Sequence, residues 1–133
     1  MNLIVGDYFK AETIFVTHSK LACELITWLR SKTTILARLR DIQCRYGKSP
    51  ITVIRAVLTR WTAHYLAFRR LLELKLFIQA LVSEDAMAPE DQKILTPQGS
   101  STANKRKARE MVVIIEDGRF WHSLARYETF FVA

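Results

Sequence analysis

TRWTAHYLAFRRLLELKLFIQALV, Thr59 to Val82, is the stretch on which the reading of the fold turns. After Thr59 or Thr62, either of which can cap a helix, apolar residues recur at helical spacing, with Trp61, Tyr65, Phe68 and Leu72 along one stripe. Lower down, Leu74, Phe77, Ile78 and Leu81 point to another side, so the second half should be covered on two faces. That makes a long helix running to about Val82 the spine of the molecule.

Working towards the N-terminus, Ile51 to Leu58 is rich in β-branched residues, and strand and helix fit it equally well. Before it, Gly47 ends and Pro50 blocks a helix that starts near Ser31 or Thr33, either a suitable cap, and carries Ile35, Leu36, Leu39 and Ile42 towards Tyr46. From Glu12 to Arg30 the spacing of Ile14, Leu21, Leu25, Trp28 and Leu29 predicts another amphipathic helix. Towards the C-terminus, Ser83 to Asn104 changes character, with four acids and then TPQGSSTAN, and reads as a loop. Helicity resumes with KRKAREMVVIIED, Lys105 to Asp117, and stops at Gly118; RFWHSLARYETFF forms a last amphipathic piece. The expected architecture is all-α, an irregular bundle of about five helices. Its segments are a helical part over 1–83, a polar flexible loop over 84–104 and a C-terminal helical pair over 105–133 in the same domain.

The 133 residues are half apolar, enough for one domain with a core. No window is apolar enough for a membrane span, and no leader pattern opens the chain, which therefore reads as intracellular. Cys23 and Cys44 lie in predicted helices without paired spacing and read as small buried hydrophobes; His18, His64 and His122 are scattered. The net charge of +7 is unevenly placed: Arg30 to Lys75 holds eleven Lys or Arg against Asp41 and Glu73, a local excess of +9. Such a block suits phosphate contacts, although a merely solvated basic face has the same composition.

Sites for chemistry are absent from the sequence pattern. There is no Gly-rich phosphate loop, no nucleophile beside a spaced His and no HExxH. Glu84-Asp85 and Glu90-Asp91 fall in or beside the polar loop and read as solvated charges rather than acid/base or metal groups. What stands out is aromatic residues among arginines: Trp28, Tyr46, Trp61, Tyr65 and Phe68. Guanidinium groups suit phosphates and π surfaces suit unstacked bases, but ordinary core packing explains such aromatics as well.

Three runs then give a family resemblance: LRDIQ at Leu39 to Gln43, TRW at Thr59 to Trp61 and RLLELK at Arg70 to Lys75, with IIEDGRFWHSLAR, Ile114 to Arg126, after the loop. Together they resemble the hAT (hobo/Activator) DNA transposases, particularly the fungal type. The resemblance implies an all-helical insertion into a ribonuclease-H-like core, which cuts and joins DNA with divalent metal held by two aspartates and one glutamate, in the nucleus. Those carboxylates lie outside the matched region, and the family's Cys-x-x-His box would precede the NLIV segment; Asp7, Asp41 and Glu73 do not replace them. What the resemblance carries over is Arg60-Trp61, the tryptophan stacking on a base displaced when the DNA end forms a hairpin, a contact of roughly 1–3 kcal/mol. The family continues with Asn-Ser, where this chain has Thr62-Ala63.

The leading expectation is thus a hAT-type fragment that binds DNA weakly, with Arg60, Trp61, Arg55, Arg69 and Arg70 as contacts, and with no cofactor, metal site or catalytic competence of its own. The alternative is a small helical protein-protein interaction module that self-associates or binds a partner through its apolar ends, NLIV and FFVA.

Overall fold

The computed structural model describes residues 17–54 and 61–132, with the side chains of 61–65 and 127–132 outside that description. The described residues form five α-helices and one short 3-10 turn, without a strand. The helices are α1 (residues 17–30), α2 (Thr33–Arg45), α3 (Trp61–Met87), α4 (Thr102–Glu116) and α5 (Gly118–Val132). The all-α expectation holds, and α3 is indeed the spine: it packs against α2, α4 and α5.

Most described members of the expected apolar stripes lie in the core, while Leu21, Leu36, Leu72 and Phe77 are only partly buried against it. Leu25, Trp28 and Leu29 of α1, Ile35, Leu39 and Ile42 of α2, and Phe68, Leu71, Leu74, Ile78 and Leu81 of α3 are all buried in one cluster. Met111, Ile114 and Ile115 of α4 and Phe120, Trp121 and Leu124 of α5 complete it. Burying one such side chain contributes roughly 1.5–3 kcal/mol, so the cluster is what makes helices of this length stable together. Trp28 and Phe68, two of the aromatics set among arginines, belong to this core. Trp61 and Tyr65 lie on α3, but their side chains are outside the described residues.

Helix ends account for most differences from expectation. α2 stops as predicted: Gly47 takes φ 71°, its N–H donates to the Cys44 carbonyl and the Lys48 N–H donates to Gln43, closing a Schellman turn. Neither Ser31 nor Thr33 caps its start. The Ser31 hydroxyl donates instead to Trp28 O at 2.7 Å, at the end of α1, and the N-cap position is Lys32 with no side-chain cap. Thr62 also fails as a cap, because Trp61 before it is already helical.

The spine runs past Val82 to Met87, since its last polar turn is stitched to the chain that follows. Asp85 is buried and its Oδ1 accepts the Ile94 N–H at 2.7 Å; Lys93 Nζ donates to the Asp85 and Ala86 carbonyls. A cation at the last carbonyls of a helix is favoured by the helix dipole. Asp85 is therefore a structural acid and not the solvated loop charge expected from its neighbours. The expected loop is shortened from the other side too: Ser101 caps α4, accepting the Asn104 N–H, so the helix begins at Thr102 rather than Lys105.

Gly118 does not stop a helix but opens one. α4 ends at Glu116, and Asp117 accepts the Arg119 N–H at 3.0 Å through its carboxylate, capping α5. The corner is pinned by the Trp121 indole, which donates to Ile115 O at 2.7 Å, and by Gln79 Nε2, which donates to the same carbonyl at 3.3 Å. Cys23 is half-buried, and burial pushes its thiol pKa up; Cys44 is exposed, against the expectation of a buried hydrophobe.

Candidate nucleic-acid interface

The site question concerns the basic central third, and the fold has already claimed much of it. After Gly47 the chain runs without regular secondary structure to residue 54, with Val53 buried in the core and Ile51 bound to Gln43 of α2. A segment outside helix and sheet must satisfy its buried backbone groups through side chains or water. Gln43, itself buried, faces Ile51 and serves both sides of one peptide position: its Oε1 accepts the Ile51 N–H at 2.9 Å and its Nε2 donates to Ile51 O at 3.0 Å. Arg30 Nη1 donates to Val53 O at 2.8 Å, and Arg70 Nη1 donates to Thr52 O at 3.2 Å. A glutamine and two arginines thus hold this segment by its backbone.

Other cations of the block are held by acids or rings. Arg45 bonds Glu84 at 2.8 Å and draws the Glu84 carboxyl below its usual range, while Glu84 raises the already high pKa of Arg45. Arg69 and Arg70 both lie near Glu73, at 3.7 and 3.6 Å, and Lys75 Nζ sits 5.9 Å from the Trp121 ring centroid. Of the five predicted contacts, Arg69 and Arg70 are therefore on α3 within one acidic neighbour's reach, Arg70 also bound to the backbone. Trp61 stands in the first turn of α3, and Arg55 and Arg60 lie outside the described residues.

Lys32 at the N-cap of α2, Arg40 in its middle and Lys48 beyond its end form no ion pair among the described residues. Arg40 lines an open groove of about 350 Å³ between α2 and the segment that follows it, whose other lining residues are Leu36, Ala37, Leu39, Pro50, Ile51 and Thr52. A second basic cluster, which attention to residues 30–75 passes over, occupies the first turns of α4: Lys105, Arg106, Lys107 and Arg109. Its signal is plain in the sequence, four cations in KRKAR. Lys107 reaches Glu24 of α1 at 3.7 Å; Lys105 and Arg106 are exposed without an ion pair among the described residues.

This surface can attract anions; among the described residues no group of His, Cys, Asp and Glu could hold a metal ion, and no helix is long and apolar enough to cross a membrane. No protein-family model matches the chain, and neither a curated protein nor a solved structure matches it.

Proposed function

We propose that this chain is a helical DNA-binding module of the kind inserted into hAT-type transposases, acting in the nucleus and lacking catalytic competence of its own. The observation that carries the proposal is the division of the basic block. Arg30 and Arg70 secure the backbone of the 50–54 segment, whereas Arg40 is exposed and lines an open groove beside Leu36, Leu39 and Ile51, and Lys48 is exposed beyond the end of α2. Cations set beside apolar surface suit single-stranded or distorted DNA, whose phosphates and unstacked bases are both accessible. The all-helical architecture and the TRW box support the family assignment.

Fluorescence anisotropy with a hairpin-ended DNA tests this. Affinity should fall with rising salt, each phosphate contact adding roughly 0.7–0.9 to the logarithmic slope. Arg40→Glu with Lys48→Glu should weaken binding, and Trp61→Ala should weaken it on hairpin ends more than on plain duplex. Absence of binding at low salt would remove the DNA reading. Robust magnesium- or manganese-dependent cleavage that persists through repurification would overturn the claim of catalytic incompetence. The alternative, a protein-interaction module, is favoured by a separate observation on α3.

A further inference from the structure

The outward face of α3 carries apolar side chains that the fold leaves in solvent. Leu66 is 51% and Leu76 73% exposed, although both belong to the helix that organises the core. Between them lie Arg69 and Glu73, both exposed, so that Leu66, Arg69, Glu73 and Leu76 follow one another at spacings of three, four and three. Such spacing puts all four on one face of an α-helix. The opposite face, with Ala67, Leu71, Leu74 and Ile78, is buried against the rest of the molecule.

The order of these four is symmetric about Leu71: the leucines stand five positions either side of it, the two charges two positions either side, and the charges are opposite. We propose that this face binds a second copy of the same chain, the two α3 helices crossing antiparallel about a two-fold axis level with Leu71. In that arrangement Leu66 meets the partner's Leu76, Arg69 meets the partner's Glu73, and each contact occurs twice. This is the self-complementarity that an isologous interface requires. A parallel pairing would set Arg69 against Arg69 and Glu73 against Glu73, and like charges facing each other are unfavourable. Within one chain Arg69 and Glu73 are 3.7 Å apart, so the dimer completes an existing pair into a four-membered ring of alternating charge.

The contact spans eleven residues, Leu66 to Leu76, roughly 15 Å of helix, and falls short of the ~1,200 Å² typical of stable dimers. Association is therefore weak, expected between about 10 µM and 1 mM. It rests on the outward face of α3 and not on the exposed cations Arg40 and Lys48 of the proposed DNA contact.

Sedimentation equilibrium of the full chain at rising concentration tests the proposal, with circular dichroism showing that each variant keeps its helices. Arg69→Glu places like charges at both contacts and should weaken association at least tenfold, as should Glu73→Arg. Mixing these two variants should restore it, because acids on one chain then meet bases on the other. To fix direction, Leu66→Cys and Leu76→Cys chains, both in a Cys44→Ser background, are mixed and oxidised; the half-buried Cys23 has a raised pKa and reacts slowly. The mixed 66–76 disulfide should dominate. A chain that stays monomeric at 1 mM, association indifferent to Arg69→Glu, or a dominant 66–66 disulfide would each overturn the proposal.

Discussion

Two irregular stretches, 48–54 and 88–101, lie against the helices by the same device and with different consequences. Each is held by one buried polar side chain of a helix, Gln43 for the first and Asp85 for the second. The amide of Gln43 can both donate and accept, so it completes the N–H and the C=O of Ile51 together. The carboxylate of Asp85 accepts the Ile94 N–H, and Lys93 turns back to the last carbonyls of α3. The first stretch is held in addition by two arginines, Arg30 donating to Val53 O and Arg70 to Thr52 O. The lesson is that a basic block can be partly a backbone-binding device, and its net charge overstates what is available to a ligand.

The comparison breaks most visibly at Gln43. Gln43→Ala strands two backbone groups of Ile51 and leaves a hole, and should cost about 3 kcal/mol in urea denaturation. Asp85→Ala orphans one N–H and should cost about 2 kcal/mol, whereas Asp85→Asn keeps an acceptor at Oδ1 and should cost less than about 1 kcal/mol. If the two alanine variants reversed their order, the difference between a two-sided and a one-sided clasp would be wrong.

Smaller effects sharpen the boundaries of each stretch. Gly47→Ala forces a Cβ into a left-handed turn with φ 71° and should destabilise by about 1 kcal/mol. Gly118→Ala meets nothing within 4 Å and lies in the first turn of α5, so it should stabilise by about 0.5 kcal/mol, read as a raised Tm. The smallest effect is at Arg45–Glu84. The folded carboxyl is held below its ordinary value, so its contribution is present above the usual glutamate range and fades as pH falls through the depressed value. An acid titration of Glu84→Gln should show a slightly flatter loss of stability than the parent chain over that window.

Much of the fold was legible because long apolar periodicities have one good solution. The two stripes, one through Phe68 and Leu72 and one through Leu74, Phe77, Ile78 and Leu81, identified the spine, and Gly47 with Pro50 identified the end of α2. The helix ends that escaped depend on partners distant in sequence or on a double meaning. Ser83 to Met87 looks like loop until Ile94 and Lys93 complete it, and SSTAN serves equally as a turn cluster or as a cap for α4. Gly118 follows a helix, as a stopping glycine would, but Asp117 before it caps the next. At the candidate interface, composition located the positive charge and could not reveal which guanidinium groups face carbonyls. The KRKAR cluster was visible in composition and lay outside the block that drew attention.

Arg40 and Arg70 test the central claim most directly, as two arginines of one block with opposite roles. The measurement is hairpin-DNA affinity across a salt series for Arg40→Gln and Arg70→Gln, with each variant's unfolding free energy measured alongside. Arg40→Gln should lower the salt slope by roughly 0.7–0.9 while stability stays within roughly 0.5 kcal/mol of the parent. Arg70→Gln should lose about 1 kcal/mol of stability with the salt slope unchanged. An Arg70→Gln variant that folds as firmly as the parent but binds DNA more weakly, with Arg40→Gln silent, would contradict the account.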